Sequence, residues 1–553
     1  MPKILINEKD RTSPGTPASY ANYSVLIPGF MDREAVLTAD AEADKTGATV
    51  ADKIQPDANG VYEFSSAQDF KDTIGWDSDE NVAGVAKIDK DGEIHYGKRM
   101  ALELLNLGYT IVYKPMESVQ SLNDVSFWED FYDKASYDFR FVSHGLLSTS
   151  YDEAEYERLQ TAIKVIEENS AKFDGIIAAG KLREDYDAAN PDIAYENAYK
   201  EAVTAAINRV VFYDYTGMLS PYGEDKYENV RDLFAKNADG KIAALAEVEE
   251  QLDNIDGVTP GIFNSINGII ANLACYRTDE AGEVLCGGRG DCTALIELDE
   301  NCYIAGEGRP EHLITDGINN MSNINSNVGP YCALTVPSVF YKMSGNTQKF
   351  PGAFHYLACF MNSLSNGFAE WYAAAGYTRG VASYVIDHTS VKLGEIAINA
   401  LEPRNIVDQG AQPKFACNVI ANFRGSYYLW GNRTAAELKS AAGGGDLTAE
   451  HFLNIRQLCT TIKKQLYVAC RRFTFDPNSD TLWYNFVNAI TPTLDTMKAN
   501  QGVRDYKIIK VYTDKKATLK AKIRIIPIEA VEDFDLEVSL EDSFGETSAV
   551  VTE

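Results

Sequence analysis

AKIRIIPIEAVEDFDLEVSLE, residues 521–541, alternates apolar and charged side chains on both sides of Pro527. Such period-two patterning marks strands with one buried face. Leu519, Ala521, Ile523 and Ile525 interleave with Lys520, Lys522 and Arg524, whereas Phe534, Leu536, Val538 and Leu540 interleave with Asp533, Asp535, Glu537 and Glu541. One strand is basic on its outer face and the other acidic. An antiparallel pairing that sets Ile523 opposite Phe534 also sets Arg524 against Asp533, Lys522 against Asp535 and Lys520 against Glu537, because paired residues keep a constant index sum. The two segments can meet within one chain, as a hairpin with a loop of about eight residues, or between chains, as a strand added to an open edge.

The same segregation of charge extends outward from this stretch. The chain of 553 residues has a formal net charge of −30, yet Arg456 to Arg524 hold fourteen Lys and Arg against five Asp and Glu. Residues 525–553 hold nine acids and no base. A basic segment in an acidic protein points to an acidic partner surface or a neighbouring copy of the chain. A solvated helix face followed by an ordinary hairpin gives the same count. Net acidity argues against nucleic acid as a main partner, since phosphate binding needs a cationic footprint.

A chain this long exceeds what one hydrophobic core supports, and its 45% hydrophobic content is ample for several packed domains. Nothing approaches the run of about 18 apolar residues that spans a bilayer, and MPKILINEKD lacks the apolar core of a secretory signal. The expectation is a protein made in a cytoplasm, with no direct membrane insertion. Nine scattered cysteines without a secretory signal read as reduced, mostly buried thiols.

Along the chain, residues 1–20 begin with Ile4, Leu5 and Ile6 and pass into a Ser-, Pro-, Gly- and Thr-rich stretch, which reads as an extended arm. ANYSVLIPGF (21–30) reads as the first body strand, YEFSSAQDFKDTIG (62–75) as strand then helix, and GKRMALELLNLGYTIVYKPM (97–116) as helix, Gly, strand. The pattern predicts an α/β (α+β), multidomain fold: an arm at 1–20, an α/β segment at 21–116, inserted α/β material at 117–345, a mixed-sheet C-terminal domain at 346–530, and a strand arm with acidic tail at 531–553.

LCGGRGDC (285–292) offers an RGD tripeptide between cysteines, and Cys286, Cys292, Cys302 and His312 are conceivable metal ligands. Their gaps are not the paired spacing of structural zinc sites, and a Gly-rich turn in which Asp291 satisfies backbone groups explains the same residues. Cys359 has His355 four residues before it, with Asp387 and His388 further on. No nucleophile elbow or phosphate-binding Gly loop accompanies them. No catalytic constellation is expected, and neither a metal nor a cofactor is called for. In HFLNIRQLCTTIKKQLYVACRRF (451–473), Phe452, Ile455, Cys459, Ile462, Leu466, Cys470 and Phe473 make one apolar helical stripe. Arg456, Lys463, Lys464, Arg471 and Arg472 fall off it.

After this helix comes RRFTFDPNSDTLWYNFVNAITPTLDTMKANQGVRDYKI. The order of basic helix, aromatic strand, F-x-P-N turn, Trp-bearing helix, Gly and alternating strands resembles the C-terminal domain of contractile tail sheath proteins from bacteriophages and related injection systems. Upstream, Asn399, Leu401, Gly425, Leu429, Trp430, Gly431, Arg433 and Thr434 are similar to the family's Asn-x-Leu, Gly and Leu/Val-Trp-Gly-x-Arg-Thr segment. The resemblance covers roughly 337–541, more loosely 20–115, and is absent from 117–335. FPGAFHYLACFM stands where the family has a Pro-Pro-Ser run, and the family's G-x-x-x-G stretch is reduced to AAAGYTRG.

The resemblance implies a structural subunit and no enzyme. Such subunits polymerise as stacked six-fold rings, a helical homopolymer around a tail tube protein, bounded by baseplate and tail terminator proteins. They contract to drive the tube through a host envelope, as part of a virion assembled in the host cytoplasm. Terminal strands pass between neighbours. That role would fall here to Ile4, Leu5 and Ile6 of the arm and to Lys520, Lys522, Arg524, Asp533, Phe534, Asp535, Leu536, Glu537 and Val538. Arg456, Lys463, Lys464 and Arg471 are expected to face an acidic tube, and residues 117–345 to form outward-facing domains. The alternatives are a non-contractile virion, baseplate or adhesion protein, or a Cys-dependent enzyme.

Overall fold

The computed structural model describes residues 23–31, 54–74, 97–116, 118–148, 153–178, 259–278, 283–304, 308–343, 346–403, 412–438, 447–512, 518–528 and 530, with short stretches between 212 and 255. The expected arms at 1–20 and 531–553 lie outside them. The described strands are β1 (Ser24–Phe30), β2 (Tyr62–Phe64), β3 (Thr110–Met116), β4 (Phe141–Ser143), β5 (Tyr276–Thr278), β6 (Val284–Gly287), β7 (Thr293–Ile296) and β8 (Cys332–Val336). They continue with β9 (Val339–Met343), β10 (Asn346–Phe350), β11 (Val385–Thr389), β12 (Asn418–Phe423), β13 (Ser426–Trp430), β14 (Val503–Val511) and β15 (Lys520–Pro527).

Eight of these strands form one mixed sheet in the order β13-β12-β8-β7-β4-β1-β3-β2. Its six inner strands are mutually parallel, and the antiparallel strands β13 and β2 close the two ends. Parallel strands covered on both faces need apolar residues at every position. SVLIPGF of β1 meets this demand, being buried throughout. Pro28 pairs with Lys114 of β3 but falls beyond Leu26, the last residue of β1 that β4 pairs, so its missing N–H costs the β1–β4 ladder nothing.

Alternate residues feed opposite layers. Leu26, Phe30, Ala294, Ile296, Leu334 and Val419 enter one core, together with Phe263, Ile266 and Ile270 of helix α1 (Pro260–Ala274). Val25, Ile27, Leu295, Ala333 and Ile420 enter the other, with Met100 and Leu104 of helix Lys98–Asn106 and Phe354, Leu357 and Phe360 of α2 (Gly352–Ser365). The architecture is an α/β/α sandwich. Thr259 caps α1 by accepting the Ile262 N–H at 3.4 Å, and Pro260 follows at the first helical position, where its missing donor costs nothing. The N-terminus of α2 is capped from the sheet, where Glu297 accepts the Ala353 N–H at 2.8 Å.

The expected segment boundaries at 117 and 345 need correction. β4, β7 and β8 all come from 117–345, yet they lie in the middle of the sheet between strands of 21–116 and strand β12. Among the described residues of this segment, a separate core lies in a narrower stretch: Leu159, Ile166, Phe212, Met218, Leu233 and Val248 pack together, joining helix Glu153–Ala178 to helix Ala243–Asp253. Among the described residues no helix is long and apolar enough to cross a membrane.

Candidate assembly interface

The basic helix is α3 (Leu453–Arg472). It lies across the start of β4 and β7, where Arg140 stands fully buried. Arg140 donates through Nη2 to Thr461 Oγ1 at 2.8 Å and sits 3.7 Å from the Glu370 carboxylate, while Gln457 Nε2 donates to Thr293 Oγ1 at 3.0 Å. Arg140, Gln457 and Thr461 thus each bond a group across the seam, although Arg140 Nε has no hydrogen-bond partner among the described residues. Such bonds are what makes a polar contact between helix and sheet tolerable.

The seam corrects the assignment of tube-facing cations. Lys464 is 3% exposed and ion-paired to Asp138, and it also donates to Phe139 O at 2.9 Å. Lys463 donates to Gly290 O at 2.7 Å, and burial lowers its pKa to about 8. The Arg456 guanidinium lies 4.1 Å over the ring of Tyr331. Three of the four cations are thus engaged by their own subunit. Arg471 is exposed beside Arg472, its guanidinium over the Tyr467 ring. Lying off the apolar stripe does not mean facing water, because the first half of this helix is covered on two sides.

The RGD tripeptide belongs to the same seam and is not displayed. Arg289 is buried, donating to Phe131 O at 2.8 Å, Tyr137 O at 2.9 Å and Asp291 Oδ1 at 3.0 Å, with its guanidinium 4.3 Å from the Phe139 ring centroid. Gly290 holds φ at 72°, and a Cβ there would stand 2.6 Å from Tyr276 Cβ. Cys286, Cys292, Cys302 and His312 belong to no cluster of three or more ligand-type side chains suited to a metal among the described residues. Cys359 and His355 do meet, Sγ to Nε2 at 3.4 Å, with both side chains fully buried. Burial raises the thiol and lowers the imidazole to about 3. That is the reverse of what a nucleophile and its base require.

Beyond α3 the expected aromatic strand is a turn: the helix ends at Arg472, and Phe475 sits exposed at φ 76°. Helix α4 (Asp480–Ala499) follows, capped by Ser479 accepting the Leu482 N–H at 3.3 Å. β14 and β15 then form a two-stranded antiparallel ribbon with Ile508 opposite Ile523 and Tyr506 opposite Ile525. These four residues face Leu458, Ile462, Leu494, Met497 and Trp371 in a small core on α3 and α4. The opposite face carries Lys507, Lys520, Lys522 and Arg524, all exposed and without an ion-pair partner among the described residues. Both outer edges of the ribbon are unpaired among the described residues. Isolated two-stranded ribbons are marginal, and open edges accept further strands.

The Leu429–Thr434 segment is a structural corner. Arg433 pairs with Glu402 at 3.1 Å, Asn418 Oδ1 accepts the Arg433 N–H at 2.8 Å, and Thr434 Oγ1 donates to Glu450 O at 2.6 Å. Sequence reasoning missed Arg140, Gln457 and Glu370, whose residue types carry no signal until the sheet brings them together.

No family model and no curated protein matches the chain. Among solved structures, the chain is similar over 98% of its length to 99% of a chain in the six-fold symmetrised baseplate of the anti-feeding prophage, at 11% identity and a TM-score of 0.48. It is also similar, over 98% of each chain, to one in the contracted sheath complex of an extracellular contractile injection system, at 11% identity and a TM-score of 0.44.

Proposed function

We propose that this chain is a structural subunit of a contractile tail or injection-system sheath, polymerising as stacked six-fold rings around a tube. The observation that carries the reading is the ribbon β14–β15: two edges unpaired among the described residues, a cationic face without ion pairs among them, and an acidic, strand-patterned segment next along the sequence. The sequence resemblance over 337–541 supports it. Strand addition supplies directional backbone hydrogen bonds and alternating side-chain pockets, and a head-to-tail contact that does not close on itself generates a helical polymer.

In this reading residues 533–541 of one copy lie along β15 of another, and Ile4, Leu5 and Ile6 supply a further strand. Tethered neighbours keep a high effective concentration, so contacts between bodies can break and re-form during contraction without loss of the lattice. Arg471 and Arg472 are the cations left to meet an acidic tube, with baseplate and terminator proteins at the ends. Delivery through a host envelope, by a virion or by a related injection particle, is the output. Negative-stain microscopy of the purified full chain tests the reading: tubes or stacked rings support it, and a discrete monomer at every concentration contradicts it.

A further inference from the structure

Lys349 stands opposite Phe340 in the β9–β10 ladder, and its amine reaches the segment that follows β7, where Nζ is ion-paired to Glu300 Oε1. The same Nζ lies 5.7 Å from the Phe340 ring centroid. Glu300 is held from both sides: its N–H donates to Ser148 Oγ at 2.7 Å, and its carbonyl accepts the Tyr303 N–H at 3.1 Å and the Ile304 N–H at 2.9 Å. Its side chain is 4% exposed. The second oxygen, Oε2, is buried without a hydrogen-bond partner among the described residues, and the same holds for Oδ2 of the adjoining Asp299, whose Oδ1 accepts the Asn301 N–H at 3.0 Å. Two buried carboxyl groups therefore adjoin one amine, and the ion pair leaves an oxygen on each unsatisfied. Buried acceptors in that condition are costly, and so is the buried charge.

We propose that Lys349 and Glu300 join through an intramolecular amide, Nζ to Cδ, made by the folded chain itself. The backbone on each side fixes the amine against the carboxyl, which replaces a bimolecular encounter by a positioned one. The Lys349 ammonium passes a proton to the Glu300 carboxylate, and the freed amine attacks Cδ. In the tetrahedral adduct the nitrogen sheds a second proton and the departing hydroxyl takes one up, with Asp299 relaying it. A C–N bond forms, a C–O bond breaks and one water leaves, with no co-reactant consumed. Burial favours the neutral forms this needs, lowering Lys349 to about 8 and raising Asp299 from its ordinary value. The product removes both buried charges and one of the two Glu300 oxygens. Lys464 and Asp138 make the contrasting pair: the Asp138 side chain is 34% exposed, and the second carboxylate there, Asp291, is already held by Arg289 at 3.0 Å. The amide ties β10, just before α2, to the end of β7. It closes within one subunit and needs no polymer.

Intact mass spectrometry of the purified full chain, denatured and reduced after folding, tests this. Wild type should be lighter than its sequence by one water, whereas Lys349→Arg, which keeps the cation but has no amine to acylate, should show its full sequence mass and melt lower. Chymotrypsin, cutting after aromatic residues and Leu, should release DENCY (299–303) joined to KMSGNTQKFPGAF (342–354) from wild type. Asp299→Asn keeps the side chain's shape without the proton relay, so open chain should accumulate in it. The proposal is overturned if folded wild type has its full sequence mass, or if the lost water maps to another peptide. Closure of Asp299→Asn as complete as that of wild type overturns the relay.

Discussion

Arg524 stands directly opposite Lys507 across the β14–β15 ladder, two exposed cations side by side on a ribbon of two strands. Like charges opposite one another weaken a strand pair by roughly 0.2–1 kcal/mol. An acidic strand laid along the free edge of β15 removes that repulsion, and the Ile523–Phe534 register places Asp533 beside Arg524. Arg524→Glu should therefore leave the monomer's melting temperature unchanged or slightly raised while weakening polymerisation. Adding Asp533→Lys should restore part of it. Sedimentation of polymer and thermal melting of monomer read the two effects separately, and a double variant no better than the single one contradicts this register.

Lys464 and Arg471 separate structure from recognition along one helix. Removing Lys464 leaves Asp138 and Asp291 without their shared cation in a closed seam, so Lys464→Ala should cost about 2 kcal/mol or more of monomer stability in urea melts. Arg471→Glu is a surface change within about 0.5 kcal/mol. It should spare the fold and impair assembly on tubes.

Arg289→Ala should unfold or strongly destabilise the subunit, because three hydrogen bonds from a buried guanidinium are lost at once. Circular dichroism and a melting curve check this. A variant with wild-type stability would return the RGD tripeptide to the surface.

How much of this was legible in the chain differs by element. The body strands at 24–30 and 110–116 and the α/β unit around them stand out because continuous apolar runs and a helix–Gly–strand order are local signals. The alternation in β15 predicts its two faces, and the ribbon bears them out. What local pattern cannot give is which strands from distant segments share a sheet, so β4 and β7, three and four residues long, read from sequence as part of an insertion. The same blindness covers Lys464, whose burial depends on Asp138 more than three hundred residues away. A cation off the apolar stripe reads as solvated until the surface that covers it is known.

Glu297 gives a pH signature. Burial raises its carboxyl to about 8, above the unfolded value of about 4.3. A group raised on folding contributes stability that is fully present below the unfolded value and lost as pH climbs through the folded one. Glu297→Gln keeps an oxygen to accept the Ala353 N–H. The variant should match wild type near about pH 4 and melt higher above about pH 8. Melting curves across this range that stay parallel at every pH would contradict it.

Truncation after Val531 should leave a soluble subunit with a cooperative melt, since the described cores end at β15. Rings and tubes should be lost, and deletion of residues 2–15 should reproduce that defect. Aggregation of the truncated chain would indicate instead that 533–541 covers the ribbon within its own subunit.

The most direct test of strand donation mixes two chains, one carrying Lys522→Cys and the other Asp535→Cys, both with Cys470→Ser, under mild oxidation. If the acidic segment of one copy lies along β15 of another, unlike chains become joined as covalent dimers and longer ladders, at positions 522 and 535. If the mixture yields no joined chains while a single chain carrying both cysteines closes on itself, the segment pairs within its own subunit and the account is wrong.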